Sequence, residues 1–198
     1  MEGYHKYVFD LDKREFVGDF ETMYKNEEAE GYDSWHQSNI NFLKNKFAVA
    51  IINQYNFKSI IDFGCGKGHF TNQLKKNNNS VLGIDISETA VAKAKQRYPD
   101  IDFESMDADS FLNRTQGCEL LVCMETLSYL ENWKNFLEKV STTTQYLYVS
   151  LFIPENPIGF VKSIDGLQDE LKNHFETKDF VELHRNTVLY LGKSKNFK

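Results

Sequence analysis

From about Ser59 onward, hydrophobic positions fall into short β-rich runs separated by segments with helical spacing. Apolar runs bounded by turn residues predict strands at Ser59–Cys65, Ser80–Ile86, Ile101–Asp107, Glu119–Glu125 and Gln145–Ile153. Helices are predicted between them at His69–Asn77, Glu88–Tyr98, Ser110–Arg114 and Asn132–Ser141. Ser87 ahead of Glu88, with Ala90, Ala92 and Ala94 behind it, gives one of these a capped, strongly helical start. Strand–helix alternation of this kind builds a mostly parallel sheet covered on both faces. Near the end, the alternating runs Phe180–His184 and Thr187–Leu191, separated by Arg185-Asn186, predict an antiparallel hairpin. The expected fold class is therefore α/β.

The segment 1–56 stands outside this alternation. Glu15–Glu28 and Ser38–Asn56 have helical spacing and are joined by the stretch Ala29–Gln37. It holds too few apolar residues for a core of its own, so a helical cover (1–56) is expected beside the sheet (57–198), within a single domain 1–198.

Composition narrows the class further. A chain of 198 residues with 41% hydrophobic and 26% charged residues suits one well-buried globular domain. The formal charge of −6 argues against a general nucleic-acid partner, which needs a basic face for phosphates. Cys65, Cys118 and Cys123 form no CxxC pair and read as buried thiols in a reducing compartment. No apolar run reaches membrane-span length, and Met1–His5 lacks a signal peptide's features, so a cytoplasmic protein without a membrane partner is expected.

The chemistry concentrates at Asp62-Phe63-Gly64-Cys65-Gly66-Lys67-Gly68, where an apolar strand runs into a helix. Glycines there permit a sharp turn and close approach of a ligand to the backbone, and the helix start offers unpaired N–H groups. Taken alone, the loop also fits a simple turn. Its spacing departs from the dinucleotide pattern GxGxxG, because the third glycine is Gly68 and His69 follows it. Val81–Asp85 is a second strand ending in an acid about 20 residues on, as expected for a carboxylate that grips ribose hydroxyls.

These residues resemble those of class I S-adenosylmethionine-dependent methyltransferases. Ile60–Phe70 resembles their first motif and Asp85 the acid of their second. Met106-Asp107-Ala108 is similar to their adenine-recognising segment, and Leu120–Leu130 to the fourth-strand motif written as a hydrophobic strand followed by E-x-L-x-H-L. The likeness runs in order over about Ser59–Ile153. It implies a Rossmann-like seven-stranded sheet with a closing antiparallel hairpin, and S-adenosylmethionine as cofactor, leaving as S-adenosylhomocysteine. It also implies roles. Asp62 would place the methionine part, Gly64, Cys65, Gly66 and Gly68 would form the loop, and Asp85 would take the ribose. Ile86, Asp107 and Ala108 would hold adenine, and Met124 and Glu125 would stand at the reacting end. A second likeness is in the amino-terminal segment. Phe20-Glu21-x-Met23-Tyr24 followed by Tyr32–His36 is similar to the Y…DPW stretch of small bacterial nodulation- and thiopurine-type methyltransferases, with Ser34 in place of proline. It implies that Tyr24 or Trp35 closes over the cofactor.

The acceptor is read by exclusion. Base-amine methylating enzymes carry [DN]-P-P-[YF] after the fourth strand, and this chain has Met124-Glu125-Thr126-Leu127; no Pro-Cys nucleophile is present. A small-molecule acceptor follows, methylated on oxygen, with N-methylation of a small amine as the alternative. The Lys-, Asn- and Phe-rich sequence is similar to small methyltransferases that tailor bacterial surface saccharides or their phosphoramidate precursors. Proton removal falls to His36 or Tyr129, each of which also fits a plain packing or surface role. The segment Phe152–Ile164 is expected to wall the acceptor pocket. No metal site is read, and the protein is expected to be a monomer or homodimer. A non-catalytic cofactor-binding sensor and a nicotinamide-dependent oxidoreductase are the competing classes.

Overall fold

The computed structural model describes residues 3–114, 117–184 and 186–197. The chain opens with a helical turn α1 (His5–Val8) and a small hairpin, β1 (Phe9–Asp10) and β2 (Glu15–Phe16). Helices α2 (Phe20–Glu30) and α3 (Leu43–Ile52) follow. The core then alternates β3 (Ser59–Phe63), α4 (His69–Leu74), β4 (Ser80–Asp85), α5 (Glu88–Arg97), β5 (Asp102–Ser105) and α6 (Ala108–Leu112). It continues through β6 (Cys118–Met124), α7 (Trp133–Thr143), β7 (Thr144–Phe152) and α8 (Ile164–His174), and ends in β8 (Phe175–Leu183) and β9 (Thr187–Ser194).

Seven strands form one sheet in the order β5-β4-β3-β6-β7-β9-β8, parallel except for β9, which runs against both neighbours. The α/β, Rossmann-like class with its antiparallel end is thus as the sequence implies; Arg185 of the connecting turn lies outside the described residues. Side-chain alternation along the central strands sends Leu121 and Cys123 to one face and Leu120 and Val122 to the other, so each face carries its own core. The first packs Phe63, Phe136, Leu137 and Leu171 beneath α7 and α8; the second packs Ala48, Ile51, Val91 and Ala94 of α3 and α5. No helix among the described residues is long and apolar enough to cross a membrane.

Three local expectations are corrected. The helix expected from Glu15 begins only at Phe20, because Gly18 takes a left-handed φ of 71° and Asp19 caps α2 by accepting from the Thr22 N–H (3.1 Å). Ahead of it, Phe16 pairs with Phe9 in a hairpin that the sequence reading had folded into the helix. The helix expected over Ser38–Asn56 shrinks to α3, and Asn39 turns the chain before it by accepting from the Asn41 N–H (3.1 Å). Helix α8 was not anticipated, although Ser163 caps it through the Gly166 N–H (3.1 Å) and Leu167 and Leu171 bury one face.

Phe136 is 2% exposed and its ring lies 4.9 Å from that of Phe63 in the floor of the sheet. Phe136→Ala should cost about 3–5 kcal/mol of stability, read as a lowered urea midpoint at unchanged slope.

Candidate functional site

In the sheet order, β3 leads outward to β4 and β5 on one side, while β6 and β7 lie on the other. A parallel sheet opens a crevice at such a reversal, beyond the carboxyl ends of its strands. The loop Asp62–Gly68 leaves β3 at this point. Its glycines adopt φ values of 81° (Gly64), 53° (Gly66) and 75° (Gly68), which favour glycine over L side chains. Packing adds to that need. A Cβ on Gly64 would lie 2.0 Å from Thr126 Oγ1, one on Gly66 2.1 Å from Gln37 Nε2, and one on Gly68 2.7 Å from Phe103. The glycines therefore admit neighbouring side chains as well as turning the chain.

A cavity of about 280 Å³ lies over the loop. Its wall brings together the expected Tyr24, Trp35, His36, Asp62, Gly64, Cys65, Asp85, Ile86, Asp107, Ala108, Met124, Glu125 and Tyr129. Gly66 and Gly68 stand behind this wall. The expected acceptor wall, Phe152–Ile164, does not line the cavity itself: Phe160 meets it through Phe16, whose ring lies 5.4 Å from its own, and Phe152 through Glu125, which accepts from its N–H (2.8 Å).

Asp85, at the end of β4, is buried, and burial raises its carboxyl above the usual range. Its oxygens accept from the backbone N–H groups of Gly66 (2.8 Å) and Ser87 (2.9 Å), so it fixes the loop while facing the cavity. Asp62 is 1% exposed; its Oδ2 accepts from the Thr71 hydroxyl (2.6 Å), and its Oδ1 has no protein partner. Burial, reinforced by nearby Asp85, pushes Asp62 up to about 7. A buried carboxylate oxygen left unpaired in a cavity wall suits a cationic group on a ligand. Asp107 lines the opposite end of the site, but its Oδ1 caps α6 by accepting from the Ser110 N–H (2.7 Å), a hydrogen bond that also lowers its carboxyl.

The amino-terminal segment forms the remaining wall and is bolted to the loop by contacts the sequence reading missed. Lys67, between the last two glycines, donates from Nζ to Glu27 Oε1 (2.8 Å) and Asp33 Oδ1 (2.6 Å). Lys93 of α5 reaches the other oxygen of Glu27 (3.0 Å) and the Tyr24 carbonyl (2.6 Å). Gln37 accepts from the Lys67 N–H (2.8 Å) and donates to the Tyr24 hydroxyl (3.0 Å). Glu21 accepts from the hydroxyls of Ser87 (2.6 Å) and Thr89 (2.7 Å), and these bonds overcome burial to hold it down at about 2. Acid and base residues recurring at helical spacing from Glu21 to Lys25 look like an ordinary solvated face in sequence, which hides this role.

Aromatic rings dominate the far side. Tyr129 packs against Phe20 (5.2 Å), Trp35 (5.7 Å) and Phe16 (5.8 Å), and Trp35 also meets Tyr4 (5.4 Å). Trp35 thus serves both the cover's own cluster and the cavity. Burial, and then the Glu125 carboxylate, push the Tyr129 phenol far up, which keeps its proton in place. His36, with a φ of 50°, also lines the cavity, its ring 6.2 Å from that of Phe42. Glu125 leaves β6 with a φ of 59°, and its carboxylate accepts from the Ser150 hydroxyl (2.9 Å) and the Phe152 N–H (2.8 Å) and pairs with Lys44 (3.1 Å).

Fold and cavity together place an enclosed space at the switch point of a parallel sheet. Residues 60–145 match the methyltransferase domain family. This segment, less than half of the chain, is similar to the methyltransferase domain, and proteins of the same fold are solved with S-adenosylmethionine or S-adenosylhomocysteine bound. Among curated proteins, the ubiquinone biosynthesis O-methyltransferase of Coxiella burnetii is 30% identical over 77 residues, 37% of this chain and 33% of that enzyme. The chain spans about a third of the length of the curated relatives it matches there. An S-adenosylmethionine-dependent methyltransferase of Clostridium acetobutylicum superposes with a TM-score of 0.69 at 14% identity, over 86% of this chain and 98% of that one. The N-methyltransferase NodS of Bradyrhizobium japonicum, solved with S-adenosylhomocysteine, gives 0.65 at 16% identity over 77% and 88% of the two chains. Both likenesses are of fold.

Glu27 is 5% exposed, and hydrogen bonds from Lys67, Lys93 and Ser34 outweigh burial to lower its carboxyl. Glu27→Gln should therefore lose roughly 2–3 kcal/mol, somewhat less than a fully enclosed pair, and expose the 16–45 segment to limited proteolysis. A depressed carboxyl contributes above its unfolded pKa and loses its contribution as pH falls. The difference between the two proteins should accordingly shrink in urea titrations as pH falls below the ordinary glutamate value of 4.5.

Proposed function

We propose that the protein transfers the methyl group of S-adenosylmethionine to an oxygen of a small acceptor. The observation that supports this most is the unpartnered Oδ1 of Asp62 in the cavity wall, beside Asp85 on the neighbouring strand. When bound, the cofactor supplies a methyl group already activated by its sulfonium. The chain's own part is then to bind, align and exclude water.

In this reading Asp62 holds the cationic amino-acid end and Asp85 accepts from ribose hydroxyls through its free lone pairs. Ile86, Met106 and Ala108 sandwich the base, with Asp107 Oδ2 at its edge. The 1–56 segment acts as a cover within one domain, and Tyr24 and Trp35 close the cofactor in. His36 takes the proton that the acceptor hydroxyl gives up. Tyr129, held protonated, orients the acceptor by donating a hydrogen bond. A second reading, N-methylation of a small amine, draws on the rings beside the Glu125 carboxylate, which would also suit a cation.

A thermal-shift panel should show stabilisation by S-adenosylmethionine and S-adenosylhomocysteine, growing with concentration, and none by NAD; no shift with either sulfur nucleoside would sink the reading. Trp35→Ala should weaken cofactor binding by up to roughly tenfold in calorimetry, clearly more than its lost ring contacts lower the melting temperature. Asp62 adds a pH signature. Its carboxyl titrates at about 7 in the free site, and a bound cation favours the ionised form. Binding then releases a proton at acidic pH, so affinity should climb as pH rises towards about 7 and level off above it. Calorimetry at pH 6 in two buffers of different ionisation enthalpy would count that proton, and Asp62→Asn should abolish it.

A further inference from the structure

We infer that the acceptor is an amphiphile: an aromatic hydroxyl head that enters the ring-lined cavity, with an apolar tail that lies across Leu43, Phe47 and Phe152 at its lip. This rests on the methyl-transfer reading above and names its substrate class.

Phe42, Lys44 and Asn45 line the cavity, and Leu43 between them does not. Leu43 is 60% exposed and Phe47 38%, and the two share one face of α3 at i, i+4 spacing. Phe152, at the end of β7, is 47% exposed. A single carboxylate joins the two elements: Glu125 pairs with Lys44, next to Leu43, and accepts from the backbone N–H of Phe152. Glu125, which lines the cavity, thus stands between Lys44, the neighbour of Leu43, and Phe152, with Phe47 one turn further along α3. Scattered exposed hydrophobics are ordinary, whereas large ones gathered beside a cavity mark a binding surface.

The head follows from the inner wall. Phe16, Phe20, Trp35 and Tyr129 offer flat apolar faces in mutual contact, which suit a planar ring. Lys44 is the ammonium at the rim that faces the cavity, and it favours an acceptor oxygen as that atom loses its proton. A saccharide would need many hydrogen-bonding partners. Here the inner wall is dominated by the rings of Phe16, Phe20, Trp35 and Tyr129, so most groups of a polyhydroxyl acceptor would be left unmatched.

The test uses the full chain saturated with S-adenosylhomocysteine and titrated by calorimetry with 4-methylphenol, 4-hexylphenol, hexylamine and methyl α-glucopyranoside. The hexylphenol should bind about tenfold or more tighter than the methylphenol, since each buried methylene adds severalfold. In Leu43→Ser/Phe47→Ser that advantage should collapse, while the S-adenosylhomocysteine titration reports that the variant is folded. With S-adenosylmethionine, both phenols should yield S-adenosylhomocysteine. Equal binding of the two phenols, tighter binding of the glucoside or the amine, or an advantage that survives the double substitution would overturn the inference. So would a dimer in the wild type that the double variant loses, because a second copy would then cover the patch. Failure of S-adenosylhomocysteine to bind at all would instead refute the reading beneath it.

Discussion

The buried carboxylate of Glu27 ties the two halves of the site together, since it is shared by a lysine of the glycine loop and a lysine of α5. An acid so enclosed is stable only because both of its oxygens are engaged and two cations face it. The arrangement binds the amino-terminal segment to the loop that follows β3, so the cavity wall contributed by that segment has a fixed position. Gln37 completes the join: its side chain fills the space beside Gly66 and spans from the Lys67 N–H to the Tyr24 hydroxyl. A side chain at residue 66 would strain the backbone and expel Gln37. The glycine loop and the cover thus depend on each other, and neither alone encloses a ligand.

This dependence explains what could be read from sequence and what could not. The loop, Asp85, Asp107 and the Met124-Glu125 strand end were legible because each lies at a fixed step along a regular strand–turn–helix path. Their geometry follows from local chain direction. Trp35 and Tyr24 were legible through a shorter pattern, and the cavity does bring them beside the loop. Glu27, Lys67, Lys93 and Gln37 were not, because the contacts that join them span 30, 40 and 66 residues of chain. Surface-type residues carry no periodic signal that tells a solvated charge from a buried one. The early hairpin was lost for a related reason: Gly18-Asp19 is a helix-start signal, but the helical spacing on both sides masked it.

Backbone strain gathers at the same place. Trp35, His36 and Glu125 are non-glycine residues with left-handed φ values, and all three line the cavity. Such conformations cost on the order of 1 kcal/mol or more each and persist where surrounding contacts over-determine them. For Glu125 those contacts are the Ser150 hydroxyl, the Phe152 N–H and Lys44. The turn brings the carboxylate back over the strand end, where it faces the cover. For Trp35 and His36 the reverse applies: the strained turn presents two consecutive rings toward the loop side, where a regular helix would point one of them away.

Polarity is divided across the cavity in a way that separates its two tasks. The acids Asp62 and Asp85 sit on adjacent strands, both buried, and the Asp85 carboxylate makes ionisation of Asp62 harder. A cation arriving there offsets burial and repulsion together, so this side favours a charged ligand. The opposite side, formed by the cover's rings, discriminates by shape and desolvation. Its one charged pair, Lys44 with Glu125, is internally neutral and lies at the lip. A cation is therefore favoured at the strand ends, while the rings opposite reward apolar area. The acids differ in turn: Asp85 is already held by the Gly66 and Ser87 N–H groups, so it is Asp62, with one oxygen unpaired, that carries the preference for positive charge.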